Sequence, residues 1–386
     1  MSRQVLANAR VDGRLCDLVI EADRIAETLA AGEGTNAAGE HFDAAGRVVL
    51  PGFVDCHTHA CFAGSRLDEW ERKLAGASYL ELLEQGGGIM ATVRATRATS
   101  ESELAELLLG RLQRMLAHGS TTIEVKSGYG LTTADELKML RAIARAAKDF
   151  PGTVVPTACI GHAIDPEAER EDFIRRTVAE TLPAVTAEFP GIALDAYCER
   201  SAWTLADCRA LFDAGQKAGH PIRIHADQFN ELGMIETAVE RGYLSVDHLE
   251  ATGPENLEKL AGSEVFGVML PASGFHLDDR YGDGRPFIDA GGRLALGSNF
   301  NPGSAPCLSM PFVIQLAVRR LGLTPAEAIA ASTRGGADLL GLGDRGRIQP
   351  GMRADLVLLA HDDVRELAFE FGANPVARVM VAGRWQ

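Results

Sequence analysis

The chain has 386 residues, 46% hydrophobic and 24% charged, which is ample for a large buried core and excludes a disordered chain. A formal net charge of -15 without any basic block argues against nucleic acid or an anionic membrane surface as partner. The opening MSRQVLANARVDGRL lacks an apolar signal core, no apolar run approaches bilayer-spanning length, and seven cysteines show no CxxC spacing, so a soluble cytoplasmic protein is expected.

In chain order, the first 48 residues carry short alternating stretches such as LVIEADRI, and similar stretches, ADLVLLA and ARVMVAG, return after residue 344. These are expected to pair as one small β-sandwich built from both termini, giving segments 1–48 and 345–386 around a central domain, 49–344. The central domain alternates strand-like runs with helix-period segments. The runs are VVLPGFVDCH, TTIEVKSG, TVVPTACIGH, IALDAYCE, IRIHADQ, LSVDHLE, VFGVMLPAS and RLALGSNF. Eight parallel strands in succession predict an α/β fold, a (β/α)8 TIM barrel. Between them, Ser100 and Glu103 have capping-box spacing ahead of a Leu104, Leu108, Leu112, Met115 stripe, and Gly119 ends that helix. TADELKMLRAIARAAKDFPG repeats the design, and such stripes are read as packing against the barrel.

Polar residues collect at the C-terminal ends of the strands, where barrels of this class place their chemistry. His57, His59, His162, His225 and His248, five of the ten histidines, sit there. His57 and His59 alternate with Thr58, so an extended strand turns both imidazoles to one side. Alone, HxH is equally compatible with two hydrogen-bonded rim histidines. His225 and His248, ending the fifth and sixth strands, shift the reading toward a zinc-like ion with an open position for water, and so toward hydrolysis. The strand-eight turn is expected to form the opposite wall of that cavity.

PGFVDCHTHACFAGSR, GGGIMATVRATR, EVKSGYGLTTADELKMLR, IHADQFNELG, SVDHLE and NFNPGS, in this order and across nearly the whole chain, resemble the imidazolonepropionase family of the amidohydrolase superfamily. HTH alone marks only the superfamily, whereas GGGIxxTVRATR and SGYGL are far more specific. The resemblance implies opening of the ring of 4-imidazolone-5-propanoate to N-formimino-L-glutamate in histidine degradation, by a homodimer acting on a small carboxylated heterocycle. It implies His57, His59 and His225 as ligands of one zinc or iron ion. A second, carbamate-bridged metal is not expected, because the fourth strand ends ALDAYCE without lysine. It further implies Arg66 as receiver of the propionate through two parallel hydrogen bonds. Tyr129, His162 and Gln228 are implied as ring contacts and Asn301, Gly303 and Ser304 as a substrate-contacting turn, and His248 is read as a proton shuttle or polariser beside the bound water rather than a fourth metal ligand.

Asn299 departs from the pattern, because the family has aspartate there, close to the metal and accepting a proton from the attacking water. The Asn299 amide can still offer its carbonyl oxygen as a further metal ligand, but it has no charge and no basicity near neutral pH. Base assistance of about 10² to 10⁴-fold would have to come from elsewhere. Three accounts stay open: an introduced change that traps ligand, a natural one in which His248 carries the proton, and lost catalysis with retained binding. The corresponding functions are the family reaction, a sister hydrolase or deiminase on a related heterocycle, and a non-catalytic binding protein. MLPASGFHLDDRYGDGR, residues 269–285, also departs from the family and is read as solvated surface, and Cys61 as a packed thiol.

Overall fold

The computed structural model describes residues 3–36, 38–76, 87–200 and 202–386; Gly86 of the GGGI motif lies outside them. The chain opens with an antiparallel meander, Arg3–Val11, Arg14–Glu21 and Arg24–Ala30, with Glu40–Asp43 running parallel to the first strand. A second four-stranded sheet joins Val49–Pro51 to Leu356–Leu359, Val376–Val381 and Arg384–Trp385. Leu6, Leu18 and Ile20 from the first sheet share one buried cluster with Val49, Leu356 and Met380 from the second. Both ends of the chain therefore close one sandwich beside the barrel.

The barrel strands are Phe53–Asp55, Ser120–Lys126, Thr153–Gly161, Ala193–Cys198, Arg223–Ala226, Ser245–His248, Phe266–Met269 and Leu294–Leu296, each hydrogen-bonded to its successor. Closure occurs at the C-terminal rim, where Asn299 N donates to His57 O at 3.0 Å and His59 N to Phe300 O at 2.9 Å. The (β/α)8 reading from the sequence holds, with one correction inside the first run. Val49–Pro51 belongs to the sandwich, and only Phe53–Asp55 enters the barrel. The hand-over is at Gly52, where a Cβ would stand 2.1 Å from Thr121 Oγ1, so only glycine fits.

Helix Glu101–Ala117 buries Leu104, Leu108, Leu112 and Met115, and Ser100 Oγ accepts from Glu103 N at 3.3 Å. Gly119 follows with φ 91°, a conformation that favours glycine. Helix Thr133–Asp149 is capped by Thr132 Oγ1, which accepts from Asp135 N at 3.1 Å. Among the described residues, no helix is long and apolar enough to cross a membrane.

Gly52→Ala is expected to destabilise the protein by about 1–3 kcal/mol through overpacking. Gly110→Ala, inside helix Glu101–Ala117 with open space around a new Cβ, is expected to add up to about 1 kcal/mol. Calorimetric melting of both variants checks the opposite signs.

Candidate metal centre and substrate cavity

The first barrel strand leads directly into His57 and His59, while Thr58 turns away and donates through Oγ1 to Glu124 O at 2.6 Å. One ring nitrogen each from His57, His59 and His225 lies within 4.8 Å of the others. His59 Nε2 and His225 Nε2 face each other at 3.0 Å. Carboxylates hold two of the rings from behind. His57 Nδ1–H donates to Asp247 Oδ2 at 2.6 Å, and His225 Nδ1–H to Asp195 Oδ1 at 2.9 Å. That fixes the tautomer and leaves Nε2 of each ring as a bare lone pair. His57 Nε2 is buried with no hydrogen-bond partner. Burial, followed by Lys126 for His57 and His162 for His59, holds both imidazoles well below their usual pKa, in the neutral form that binds metal. A buried, unpartnered lone pair beside two converging imidazole nitrogens fits a divalent ion.

The supporting carboxylates are themselves paired. Glu124 and Lys126 lie two apart on the second strand and face the barrel interior. Lys126 Nζ is 2.7 Å from Asp195 Oδ2 and 2.9 Å from Glu124 Oε1. Arg223 reaches Asp247 Oδ2 at 2.6 Å and Glu124 Oε1 at 3.4 Å. Asp195, Lys126, Glu124, Arg223 and Asp247 thus form one chain of alternating charge, each side chain at most 1% exposed. Burial opposes ionisation of Asp195, but His225 and Lys126 outweigh it and hold the carboxyl far below its usual range. Cys159, Asp195 and His225 also lie within 4.8 Å of one another. The Lys126 ammonium already occupies Asp195, and burial pushes the Cys159 thiol up, so that trio does not favour a second ion.

Beside the imidazoles opens a cavity of about 230 Å³ whose lining includes Arg66, Tyr129, His162, Gln228, His248 and Asn299. A larger cleft, about 650 Å³, lies against the sandwich and contains none of them. His162 stacks on His59 with centroids 4.6 Å apart, and its Nδ1–H donates to Gly128 O at 2.9 Å. Burial lowers its pKa to about 4, so its Nε2 is an acceptor. Tyr129 packs edge-on to His162 at 5.2 Å. The loop carrying Tyr129 is gathered by Glu136, whose carboxylate accepts from Gly128 N, Gly130 N and Leu131 N at 2.8–2.9 Å. Gly128, at φ 113°, has no room for a Cβ, which would meet His162 Nδ1 at 2.9 Å. Tyr197 Oη donates to Gln228 Oε1 at 2.8 Å and leaves the amide N–H groups of Gln228 as donors. His248 Nδ1–H donates to Glu250 Oε1 at 3.1 Å, and its backbone has φ 98°. Asn299, at φ 51°, donates through Nδ2 to Ser273 Oγ at 2.6 Å, which leaves Oδ1 as its unengaged polar end.

Two details differ from the sequence reading, the place of the strand-eight turn and the exposure of residues 269–285, and two add to it, at Arg66 and Asn301. Arg66 is engaged on its own chain: Nε and Nη2 donate to Glu69 at 2.7 and 2.5 Å and Nη1 donates to Thr92 Oγ1 at 3.4 Å, with Gly303 beside Nη1, where a Cβ would stand 3.2 Å away. The Asn301 side chain organises its own turn, donating to Asn299 O and Ser304 Oγ and accepting from Gly303 N and Ser304 N. The strand-eight turn is the immediate neighbour of His57 rather than the opposite wall, because strand eight closes on strand one. Residues 269–285 are not wholly solvated surface: Leu277 lines the cavity, and Arg280 donates to Gln228 O at 3.2 Å. Cys61 is fully buried.

Sequence reasoning missed Glu69 and Lys73 in the cavity wall and the five-residue charge chain beneath it. Signals existed for both: Glu69 follows Arg66 at i+3 spacing, and EVK, RIH and VDH place charges inside otherwise apolar strands.

The amidohydrolase family model matches residues 48–386. An imidazolonepropionase of Herpetosiphon aurantiacus is 46% identical over 358 residues, covering 90% of this chain and 84% of the relative. One of Symbiobacterium thermophilum is 43% identical over 384 residues, 98% of this chain and 89% of the relative. Among solved structures, the Klebsiella pneumoniae 5-methylcytosine deaminase liganded with 5-fluorocytosine shares the fold with a TM-score of 0.78, at 17% identity, over 99% of this chain and 96% of that one. A zinc-bound adenosine deaminase of Xanthomonas campestris gives 0.72 at 16% identity, over 100% of this chain and 94% of that one. With its barrel, its converging imidazoles and relatives of this identity along nearly their full length, the chain belongs to the amidohydrolase family and, within it, to the imidazolonepropionases.

Proposed function

We propose that this chain hydrolyses 4-imidazolone-5-propanoate to N-formimino-L-glutamate, as a cytoplasmic enzyme of histidine degradation that holds one zinc or iron ion. The observation that carries this reading is one cavity with an imidazole ion site at its base and the Arg66 guanidinium in its wall. His57, His59 and His225 would hold the ion. When bound, such an ion supplies Lewis acidity and lowers the pKa of a water from 15.7 to about 7.

The chain's own groups then have distinct tasks. Arg66 receives the propanoate on the side of the guanidinium that Glu69 leaves open. Tyr129 and His162 face the ring, and Gln228 offers amide N–H to a ring acceptor. Water oxygen joins the ring carbonyl carbon, the bond from that carbon to ring nitrogen breaks, and the nitrogen takes a proton. His248, with Nδ1 held by Glu250, uses Nε2 to pass it. Asn299 offers an oxygen but no negative charge, so His248 carries the whole of the proton transfer in this chain. The competing reading, binding without turnover, is favoured by that same amide.

Dialysis against a strong chelator is expected to remove one equivalent of metal per chain, measured by plasma mass spectrometry. Activity should be lost with it and return on adding zinc or iron(II); full activity in the metal-free protein contradicts the ion's role. In an absorbance assay of ring opening, the chain is expected to turn over imidazolone propanoate, and Asn299→Asp to raise kcat by about 10² or more. Tight binding with no turnover in either form would establish the non-catalytic reading instead.

A further inference from the structure

Resting on that substrate reading, the geometry points to a second cation, Lys73, that completes the acid-recognition end of the cavity, with Glu69 as the positioning residue for both cations. Arg66 stands just ahead of helix Leu67–Leu74, and Glu69 and Lys73 lie on it at i+3 and i+7 from Arg66, on one face. Glu69, only 6% exposed, accepts from Arg66 Nε and Nη2, from Gly88 N at 2.9 Å, and lies 3.5 Å from Lys73 Nζ. One carboxylate thereby ties the arginine, the lysine and Gly88 together. Although burial alone would raise it, the hydrogen bonds from Arg66 and Gly88 hold its pKa below the ordinary glutamate value, so it is ionised.

Charge arithmetic makes Lys73 necessary. Arg66 and Glu69 form a neutral pair, and a ligand carboxylate arriving at Arg66 would also meet the Glu69 anion. Among the described lining residues Glu69 is the only acid, and Arg66 and Lys73 are the only lysine or arginine. With Lys73 the trio carries a net charge of +1, a local positive site on a chain whose overall formal charge is -15. Arg66 is 11% exposed and supplies the directional inner contact, while Lys73, 35% exposed, is the outer charge at the rim. Gly303 keeps the approach to Arg66 Nη1 open, because a side chain there would press on the guanidinium.

The test is calorimetric binding of two stable probes to the full-length protein, imidazole-4-propanoate and 4-methylimidazole, which share the ring but not the acid arm. The native chain is expected to prefer the acid-bearing probe by about 100-fold, a ratio from which any contact of the ring with metal cancels. Lys73→Met is expected to reduce that preference about tenfold and Lys73→Arg to retain most of it; Glu69→Gln removes an anion but unties both cations, and is expected to reduce the preference about tenfold because lost positioning outweighs the gained charge. Equal weakening of both probes, or an undiminished preference in folded Lys73→Met, overturns the proposal while the substrate reading stands. No preference in the native chain overturns the substrate reading itself. Lys73 lies at the surface, so its variants decide the matter even if Glu69→Gln fails to fold.

Discussion

The alternating chain Asp195, Lys126, Glu124, Arg223, Asp247 is the constraint on which the site depends. Five ionised groups deprived of water would each cost several kcal/mol, and only mutual pairing offsets that cost. Breaking one link strands the neighbouring charge, typically at about 3–5 kcal/mol. The two end carboxylates therefore have little freedom, and each grips the Nδ1 side of one imidazole. Ring orientation and tautomer of His57 and His225 follow from a network whose side chains are at most 1% exposed, while His59 is placed by the strand and by its stacking on His162.

Barrel closure adds a second restraint at the same rim. His57 and Asn299 are linked through their backbones, and Asp55 Oδ1 accepts from Ser298 N at 2.9 Å, so the first and last strands lock beside the ion site. Asp227, His248, Leu249 and Asn299 all adopt positive φ there. Such backbone is costly for residues other than glycine and persists only where surrounding contacts over-determine it. Asparagine tolerates this conformation better than most residues, which makes the amide at 299 sterically unremarkable even though it changes the proton chemistry.

Much of this was legible in the sequence because it repeats. Eight apolar runs with polar ends pointed to the barrel, and His57, His59 and His225 fall together because successive strands of a closed sheet face one centre. The split of the first run at Gly52 was not legible, since Val49–Pro51 and Phe53–Asp55 are both short, mostly apolar stretches and only tertiary contacts assign them to different sheets. Arg66 lines the cavity, and its capture by Glu69 is a matter of side-chain reach that the sequence pattern does not display. Asn301 was read as part of a substrate-contacting turn; it lines the cavity, and its amide also organises that turn, a local bonding pattern common for asparagine.

The account stands or falls on where a metal lands. An anomalous-difference map from crystals of the zinc- or iron-loaded protein, collected at the absorption edge, is predicted to show one strong peak bounded by His57 Nε2, His59 and His225, with His57 Nδ1 still on Asp247. A peak elsewhere, or a His57 ring turned to bind through Nδ1, would contradict it.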